Sequence, residues 1–161
     1  ADKKDSQGIC FVGQVGIKEF LSQYIQTEPG PIINQKNEEI GEHEGAIFYT
    51  IGQRHGLNVG GGLPYYVTKK DIKTNTVYVT TDLSDKDLWS KEVNLEDLHW
   101  INETPDSEKE YKVRLRYRGP LVTCTISDKK LILKDEQRAI AAGQSAVIYD
   151  GDRVLGGGIV C

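Results

Sequence analysis

The feature that most constrains this 161-residue chain is an alternation of side chains with period two in its last third. Apolar or aromatic residues and cations take alternate positions there: Tyr111, Val113, Leu115 and Tyr117 against Lys112, Arg114, Arg116 and Arg118. Because successive side chains of a β-strand point to opposite faces, the pattern predicts a strand with one apolar and one cationic face. A chain built around such a strand has to bury the apolar face against further β-structure.

Short apolar segments follow this strand at regular intervals. Further strands are predicted at Val122–Ile126, Leu131–Leu133, Ala146–Tyr149 and Val154–Val160. Polar and glycine-containing turns at 127–128 and 150–152 separate them. Short strands at this spacing are typical of a small closed or nearly closed β-barrel, and they place the chain in the mainly β class.

The first half carries one helical signal and a second group of strands. Apolar residues with helical spacing predict a short amphipathic helix, which ends before Pro29-Gly30-Pro31: Ile17, Phe20, Leu21, Tyr24 and Ile25. A β-rich segment is predicted at Ala46–Ile51. Tyr65–Thr68 and Thr76–Thr80 form a predicted hairpin around residues 73–75.

Residues 82–110 are acidic, with ten Asp or Glu residues against three lysines. We expect a solvated, loop-rich connection, anchored to the core by a few apolar side chains: Trp89, Leu95, Leu98 and Trp100. The whole chain has a net charge of only −4. The acidic connection and the cationic strand face therefore nearly cancel in the total.

The composition excludes some locations. No apolar run approaches the ~18–20 residues that span a bilayer, and the first eight residues are polar and charged, unlike a secretory signal. We therefore expect a cytoplasmic protein that does not bind a membrane. The chain contains no methionine and begins within a charged run, so we also expect it to be a piece of a longer polypeptide.

Two interpretations of the cationic strand face remain open. A polyanion such as RNA would be attracted to it, and Tyr117 would offer a stacking surface for a base. Alternatively, the face is exposed to solvent and its cations pair with the acids of residues 82–110.

The three cysteines, Cys10, Cys124 and Cys161, have neither an even count nor a C-x-x-C spacing. This argues against a disulfide framework and against a zinc site, and His43 and the other histidines add no ligand spacing. We therefore predict no metal site. Cys10, between glycines and just before the helix, is either a reactive thiol favoured by the helix N-terminus or a buried apolar residue.

A glycine-rich stretch at residues 52–62 resembles a phosphate-binding loop only loosely. It lacks the G-x-x-x-x-G-K-[ST] pattern and the strand-then-helix context of G-x-G-x-x-G. A flexible loop is the simpler interpretation. No nucleotide-hydrolysing motif occurs elsewhere in the chain.

Six segments, in order along nearly the whole chain, resemble the tRNA-specific 2-thiouridylase family. They are Asp5–Gly13, Phe20–Leu21, Tyr49–Leu57, Arg116–Arg118, Ala142–Val147 and Leu155–Ile159. The resemblance implies an enzyme part that replaces O2 of the tRNA wobble uridine by sulfur. In that family ATP, with Mg²⁺, activates the uridine, and a cysteine persulfide loaded by a sulfur-relay donor protein supplies the sulfur.

The resemblance also implies an organisation. Residues 1–25 correspond to the end of the family's ATP-binding domain, and residues 26–72 to a small central β domain with the short helix before it. Residues 73–161 correspond to a C-terminal, tRNA-binding β-barrel resembling domain 2 of translation elongation factors. The ATP-binding loop and first catalytic cysteine of the family are absent, so we expect no cofactor on this chain and no turnover by it alone.

By the same resemblance, Cys10 is the catalytic persulfide carrier, and Arg116, Tyr117 and Gln144 contact tRNA. Two positions depart from the family pattern. Gly119 replaces the glutamine of the family's Arg-Tyr-Arg-Gln. Ala141-Ala142 replaces the Thr-Pro of the family's Thr-Pro-Gly-Gln, and we therefore expect a looser turn before Gln144. The alternative function is a non-catalytic RNA-binding β-barrel in which Cys10 is simply buried.

Overall fold

The computed structural model describes residues 17–57, 59–60 and 62–161. Within these ranges, one short helix, α1 (Ile17–Ser22), precedes ten β-strands. The strands form a four-stranded sheet and a closed six-stranded barrel. This confirms the predicted class: mainly β, with a short helix, a small β unit and a barrel.

The small sheet contains the first four strands, in the order β2-β1-β4-β3. The strands are β1 (Gly30–Ile33), β2 (Glu39–His43), β3 (Tyr66–Asp71) and β4 (Thr76–Thr80). Its core gathers Ile32, Ala46, Tyr49, Val67, Val77 and Val79. The predicted β3–β4 hairpin is present, with Val67 opposite Val79.

The barrel follows the order β10-β5-β8-β7-β6-β9. Its strands are β5 (Trp89–Trp100), β6 (Tyr111–Arg114), β7 (Val122–Ser127), β8 (Lys130–Arg138), β9 (Ser145–Asp150) and β10 (Arg153–Val160). Every neighbouring pair is antiparallel. Alternate side chains point inward and fill the interior, among them Val113, Leu131 and Ile148, all fully buried.

Several local predictions are wrong. The predicted helix is shorter and ends at Ser22, and Tyr24 of its apolar stripe is 72% exposed. The helix does end before Pro29-Gly30-Pro31, as predicted, and Gly30 and Pro31 belong to β1 and pair with β2. The segment Ala46–Ile51 forms a 3₁₀ turn at Ala46–Phe48 instead of a strand.

The acidic connection is also corrected, since its centre is the longest strand of the barrel. Val93 and Leu95 point inward, but Asp97 has φ +48° and lies in a bulge opposite β10. The bulge changes the phase, so that Leu98 and Trp100 pack on the core beyond it. A single period-two pattern therefore does not run through β5, which is why its sequence looks like a loop.

The two sheets separate after β4. The sequence-based boundary between residues 72 and 73 falls inside the β3–β4 hairpin, whose Asp71 accepts hydrogen bonds from the backbone N–H groups of Lys73 and Thr74. These two bonds lower the pKa of the Asp71 carboxyl. Residues 81–88 connect the sheets and bring the chain to β5.

Candidate RNA-binding end of the barrel

The predicted strand Tyr111–Arg118 ends early. β6 stops at Arg114, and residues 116–119 form a turn in which Gly119 N–H donates to the Arg116 carbonyl at 3.0 Å. Arg118 has φ +56°, a left-handed conformation that closes the turn. The cations of this segment therefore do not form one continuous strand face; Arg116, Tyr117 and Arg118 project from the β6–β7 connection.

Gln144 lies in the β8–β9 connection, in a second turn. Its N–H donates to the Ala141 carbonyl at 3.4 Å, and Gly143 has φ +86°. Strand β10 fixes this turn, because Gly143 N–H donates to Val160 O at 2.8 Å and Val160 N–H donates to Gln144 O at 2.9 Å. Pairing with β10 thus holds the turn in a chain that lacks the proline of the family pattern.

Both connections lie at the same end of the barrel, which we call the cleft end. It is the end where β6 and β8 finish and where β5, β7 and β9 begin. The three residues predicted to contact tRNA, Arg116, Tyr117 and Gln144, are thus all on this end. Tyr117 is 71% exposed, and the guanidinium carbon of Arg118 lies 5.5 Å from the centroid of its ring.

A cleft of about 670 Å³ opens at this end, between the barrel and the small sheet. The turn Thr50–Gln53 lines it on one side and Glu136–Ala141 on the other, with Trp89, Arg116 and Gln144 at its walls. Arg116 and Gln144 therefore share one concave site, whereas Tyr117 does not line it. Trp89 and Arg138 were not predicted as site residues.

The turn Thr50–Gln53 is rigidly built. Gln53 N–H donates to Thr50 O at 3.0 Å, and Gly52, with φ +81°, occupies the third position, where a type II turn favours glycine. The Gln53 side chain accepts from Thr50 N–H and donates to the His55 carbonyl. A Cβ on Gly52 would stand 2.4 Å from the Cβ of Ala139, so the turn touches the barrel directly.

The path of the Arg116 side chain depends on the small size of Gly119. A Cβ at position 119 would lie 2.7 Å from Cγ of Arg116 and 3.4 Å from its Nε. The arginine stem therefore lies across the glycine, which is buried. The glycine that departs from the family pattern gives Arg116 the room to adopt this path along the cleft.

The electrostatics of the cleft favour an anion. Arg116 and Arg138 line it together with one carboxylate, Glu136. Within the described part of the chain, neither arginine forms an ion pair. Unpaired guanidinium groups are good phosphate ligands, because they can donate two parallel hydrogen bonds.

Arg114 adds to the cationic character just behind this end. Its guanidinium carbon lies 5.9 Å from the centroid of the Tyr149 ring on β9, and its buried Nε has no hydrogen-bond partner among the described residues. Among the described residues, neither Arg114 nor Arg116 forms an ion pair with an acid of residues 82–110.

Comparison with known proteins identifies the family. Residues 18–81 match the family model of the tRNA methyl transferase PRC-barrel domain, and residues 90–160 match that of the aminomethyltransferase beta-barrel domain. Relatives named tRNA-specific 2-thiouridylase MnmA, from Idiomarina loihiensis and Streptococcus sanguinis, are each 40% identical over 99% of this chain and 46% of their own length. The chain belongs to the tRNA-specific 2-thiouridylase family.

A third relative of that name, from Cupriavidus metallidurans, is also 40% identical, over 99% of this chain and 48% of its own length. The chain thus spans about half the length of the curated relatives it matches. The first family model ends at residue 81 and the second begins at residue 90. The boundary between them thus falls in the connection that separates the small sheet from the barrel.

The turn Thr50–Gln53 does not fit the phosphates of the ATP that the 2-thiouridylase resemblance implies. In the glycine-rich loop, the N–H of Gly52 donates to Val67 O at 2.7 Å and that of Gln53 to Thr50 O, so both are already used. The nearby cation Lys70 donates to the Tyr49 carbonyl. Residues 50–53 are therefore a structural turn of the small sheet, in which these two N–H groups are not free to bind a phosphate.

The thiols differ in accessibility. Cys10, the predicted persulfide carrier, lies outside the described residues. Cys124 is buried in the barrel, where desolvation raises its pKa to about 11, so it stays a protonated, unreactive thiol. Cys161 is exposed.

The histidines and other possible ligands do not gather. His43 is buried beside Tyr49, with ring centroids 5.4 Å apart, and burial lowers its pKa. Across the described ranges, no three His, Cys, Asp or Glu side chains lie close enough together to hold a metal ion. The helix in those ranges is too short to cross a membrane.

Proposed function

We propose that this chain is part of an enzyme that 2-thiolates the wobble uridine of tRNA, and that the cleft end of its barrel binds the tRNA. The observation that carries the proposal is the convergence of Arg116 and Gln144 on one cleft, beside exposed Tyr117. Unpaired guanidinium groups suit phosphates, an amide suits base edges, and an exposed aromatic ring suits stacking. Membership of the 2-thiouridylase family supplies the substrate class.

Within this proposal, Cys10 carries sulfur. Its thiolate attacks the outer sulfur of a persulfide on a donor protein, forming a persulfide on Cys10 and releasing the donor's thiolate, so that sulfur is transferred without net oxidation. The outer sulfur of the Cys10 persulfide then attacks C2 of the adenylated uridine and displaces AMP. A second thiol, in the further length that the relatives possess, attacks Sγ of Cys10, so that the S–S bond breaks, a disulfide forms and the sulfur stays on C2. Because the turn Thr50–Gln53 does not fit the phosphates of ATP, the proposal assigns binding of ATP and Mg²⁺ to the further length that the relatives possess. It also places the reaction in the cytoplasm.

The RNA-binding part is tested with Arg116→Ala. Loss of one phosphate contact should weaken tRNA binding and reduce the slope of log K against log salt by about one. The matched control is Arg153→Ala, which removes an exposed arginine at the other end of the barrel. An unchanged salt slope for Arg116→Ala would remove Arg116 from the interface.

The sulfur-carrying part is tested with Cys10→Ser in this chain joined to an N-terminal half of the kind that the relatives possess. We expect 2-thiouridine in the tRNA product to fall to background while tRNA affinity is unchanged. Cys161→Ser, which removes an exposed thiol, is the control and should leave thiolation intact. Normal 2-thiouridine from the Cys10→Ser protein would overturn the role of this residue.

A further inference from the structure

The cleft contains a second pair of residues suited to RNA, at a place that the sequence did not indicate. Trp89 and Arg138 lie directly opposite each other in the pairing of β5 with β8. Directly opposed residues of an antiparallel pair have Cβ atoms about 5 Å apart, close enough for their side chains to act on one ligand. Both side chains line the cleft.

Trp89 is held as a fixed surface. Its Nε1 donates to the Leu83 carbonyl at 2.8 Å, while the side chain stays 39% exposed. A ring held by its N–H presents a constant orientation to a ligand. Nucleic-acid bases stack on such rings with little dependence on sequence.

The dimensions and lining of the cleft match one nucleotide. A volume of about 670 Å³ lies within the range of sites that enclose a small molecule. The floor includes Leu115 and Ile140, which are apolar, while Gln144 and the two arginines supply polar groups. A double helix cannot enter a site of this size, because its bases are stacked and paired.

We propose that the cleft binds one unstacked nucleotide of the tRNA, with its base against Trp89 and its phosphate on Arg138, in addition to the contacts of Arg116. This inference rests on the proposed function and makes it more specific. It assigns Trp89 and Arg138 to the interface and predicts a preference for single-stranded RNA over duplex at this end of the barrel.

The test uses the intrinsic fluorescence of Trp89 in the 161-residue chain with Trp100→Phe, which leaves one tryptophan. The probes are a tRNA transcript, a single-stranded oligouridylate, and a blunt RNA duplex with the same number of phosphates. We expect the tRNA and the oligouridylate to quench Trp89 and the duplex to leave it unchanged. Equal quenching by the duplex would overturn the nucleotide site.

A variant series supplies the second measurement. Arg138→Ala should weaken tRNA binding roughly five- to tenfold and reduce the salt slope by about one. Arg138→Lys should keep the slope and recover part of the affinity, since it retains the charge but not the forked geometry. Arg153→Ala is the control, and Arg138→Ala behaving like it would overturn the role of Arg138.

The outcomes separate this inference from the function beneath it. If tRNA binds in a filter assay and Arg116→Ala weakens it, but Trp89 fluorescence and Arg138→Ala show no effect, the nucleotide site is wrong and the tRNA-binding barrel stands. If tRNA does not bind the chain at any salt concentration, both fail. Far-UV circular dichroism of each variant establishes that the barrel is folded.

Discussion

The two ends of the barrel use charge in opposite ways. At the cleft end, the connections between barrel strands, residues 115–121 and 139–144, contain two arginines and no acid. At the far end, the connections at residues 101–110, 128–129 and 151–152 contain six acids and two lysines. One of those lysines, Lys109, is neutralised by Asp150 at 2.6 Å. The connections between barrel strands are thus cationic at one end and mainly acidic at the other, while residues 81–88, which lead into β5 at the cleft end, add three acids and one lysine.

The difference explains why the net charge of −4 is a poor guide to the charge of either end. An average over the chain hides the separation of signs along the barrel axis. A long anionic ligand is oriented by that separation, because its phosphates are drawn to one end and repelled from the other. The predictions below test whether the two ends are distinct surfaces on one rigid frame.

The largest effect on stability is expected where β10 pairs with β9 to close the barrel. A Cβ on Gly157 would lie 2.1 Å from the Ala146 carbonyl oxygen. Gly157→Val should therefore separate β10 from β9 and lower the free energy of unfolding by roughly 3 kcal/mol or more. Both ends should be lost together in one denaturation transition. The control is Gly151→Ala at the far-end turn, where no atom lies within 4 Å and the cost of φ +58° should be about 1 kcal/mol. Equal stability of the two variants would contradict the close packing of β10.

Acid should destabilise the part of the molecule that lines the cleft before it destabilises the far end of the barrel. Burial lowers the pKa of His43 from its ordinary value of 6.5, so the unfolded chain binds the proton more readily than the folded one. The contribution of neutral His43 to the free energy of unfolding should be fully present above about pH 6.5 and should be lost as the pH drops below that value. His43 packs on Tyr49, next to the turn Thr50–Gln53, so hydrogen exchange in that turn should accelerate first.

The control for this prediction is the exposed His99 of β5. His99→Gln should keep the acid sensitivity of urea denaturation, whereas His43→Gln should reduce it. Hydrogen exchange that accelerated first in residues 101–110 at low pH would contradict the prediction, because it would place the acid-sensitive region at the far end of the barrel.

A smaller effect concerns the one carboxylate lining the cleft. Glu136→Gln removes a charge that opposes phosphate, and it should strengthen tRNA binding by roughly two- to threefold at low salt, with the gain fading as salt screens it. Asp152→Asn makes the same change in charge at the far end and should leave the affinity unchanged. The measurement is a salt series of binding isotherms, and an equal gain from both variants would mean that only net charge matters.

The smallest effect is expected for the far-end ion pair. Hydrogen bonding to Asp150 raises the pKa of Lys109, so the pair stabilises the fold below the ordinary lysine pKa and this contribution is lost as the pH rises through the raised value. Both groups are exposed, so Asp150→Asn should change the melting temperature only slightly, and not at all in high salt. A large shift that persists in salt would show that this end is held by more than a screened pair.

Much of the barrel could be predicted from local pattern, and its exceptions have physical causes. The inward residues of β7, β9 and the first part of β8 follow simple alternation, so they were found, whereas residues 134–138 of β8 were missed because the alternation stops after Leu133. Strand β5 was missed because the bulge at Asp97 shifts its phase. The alternation of β6 continued by chance into a turn, where Arg118 adopts a left-handed conformation that no periodicity encodes.

The candidate site was predictable only in part. Arg116, Tyr117 and Gln144 came from family resemblance, and the structure places them at one end of the barrel. Trp89 and Arg138 are 49 residues apart in the chain and become neighbours only through the register of β5 on β8. Such a pairing is a property of the closed barrel, and no local sequence pattern predicts it.

The contact between Gly52 and Ala139 has a consequence for how such proteins change through evolution and design. With only 2.4 Å available to a Cβ, a larger residue on either side would force the small sheet away from the barrel and widen the space between them. The two positions therefore have to change together. A chimera that joins this small sheet to a relative's barrel with a bulkier residue at position 139 should fold in both halves and yet hold them at a different angle.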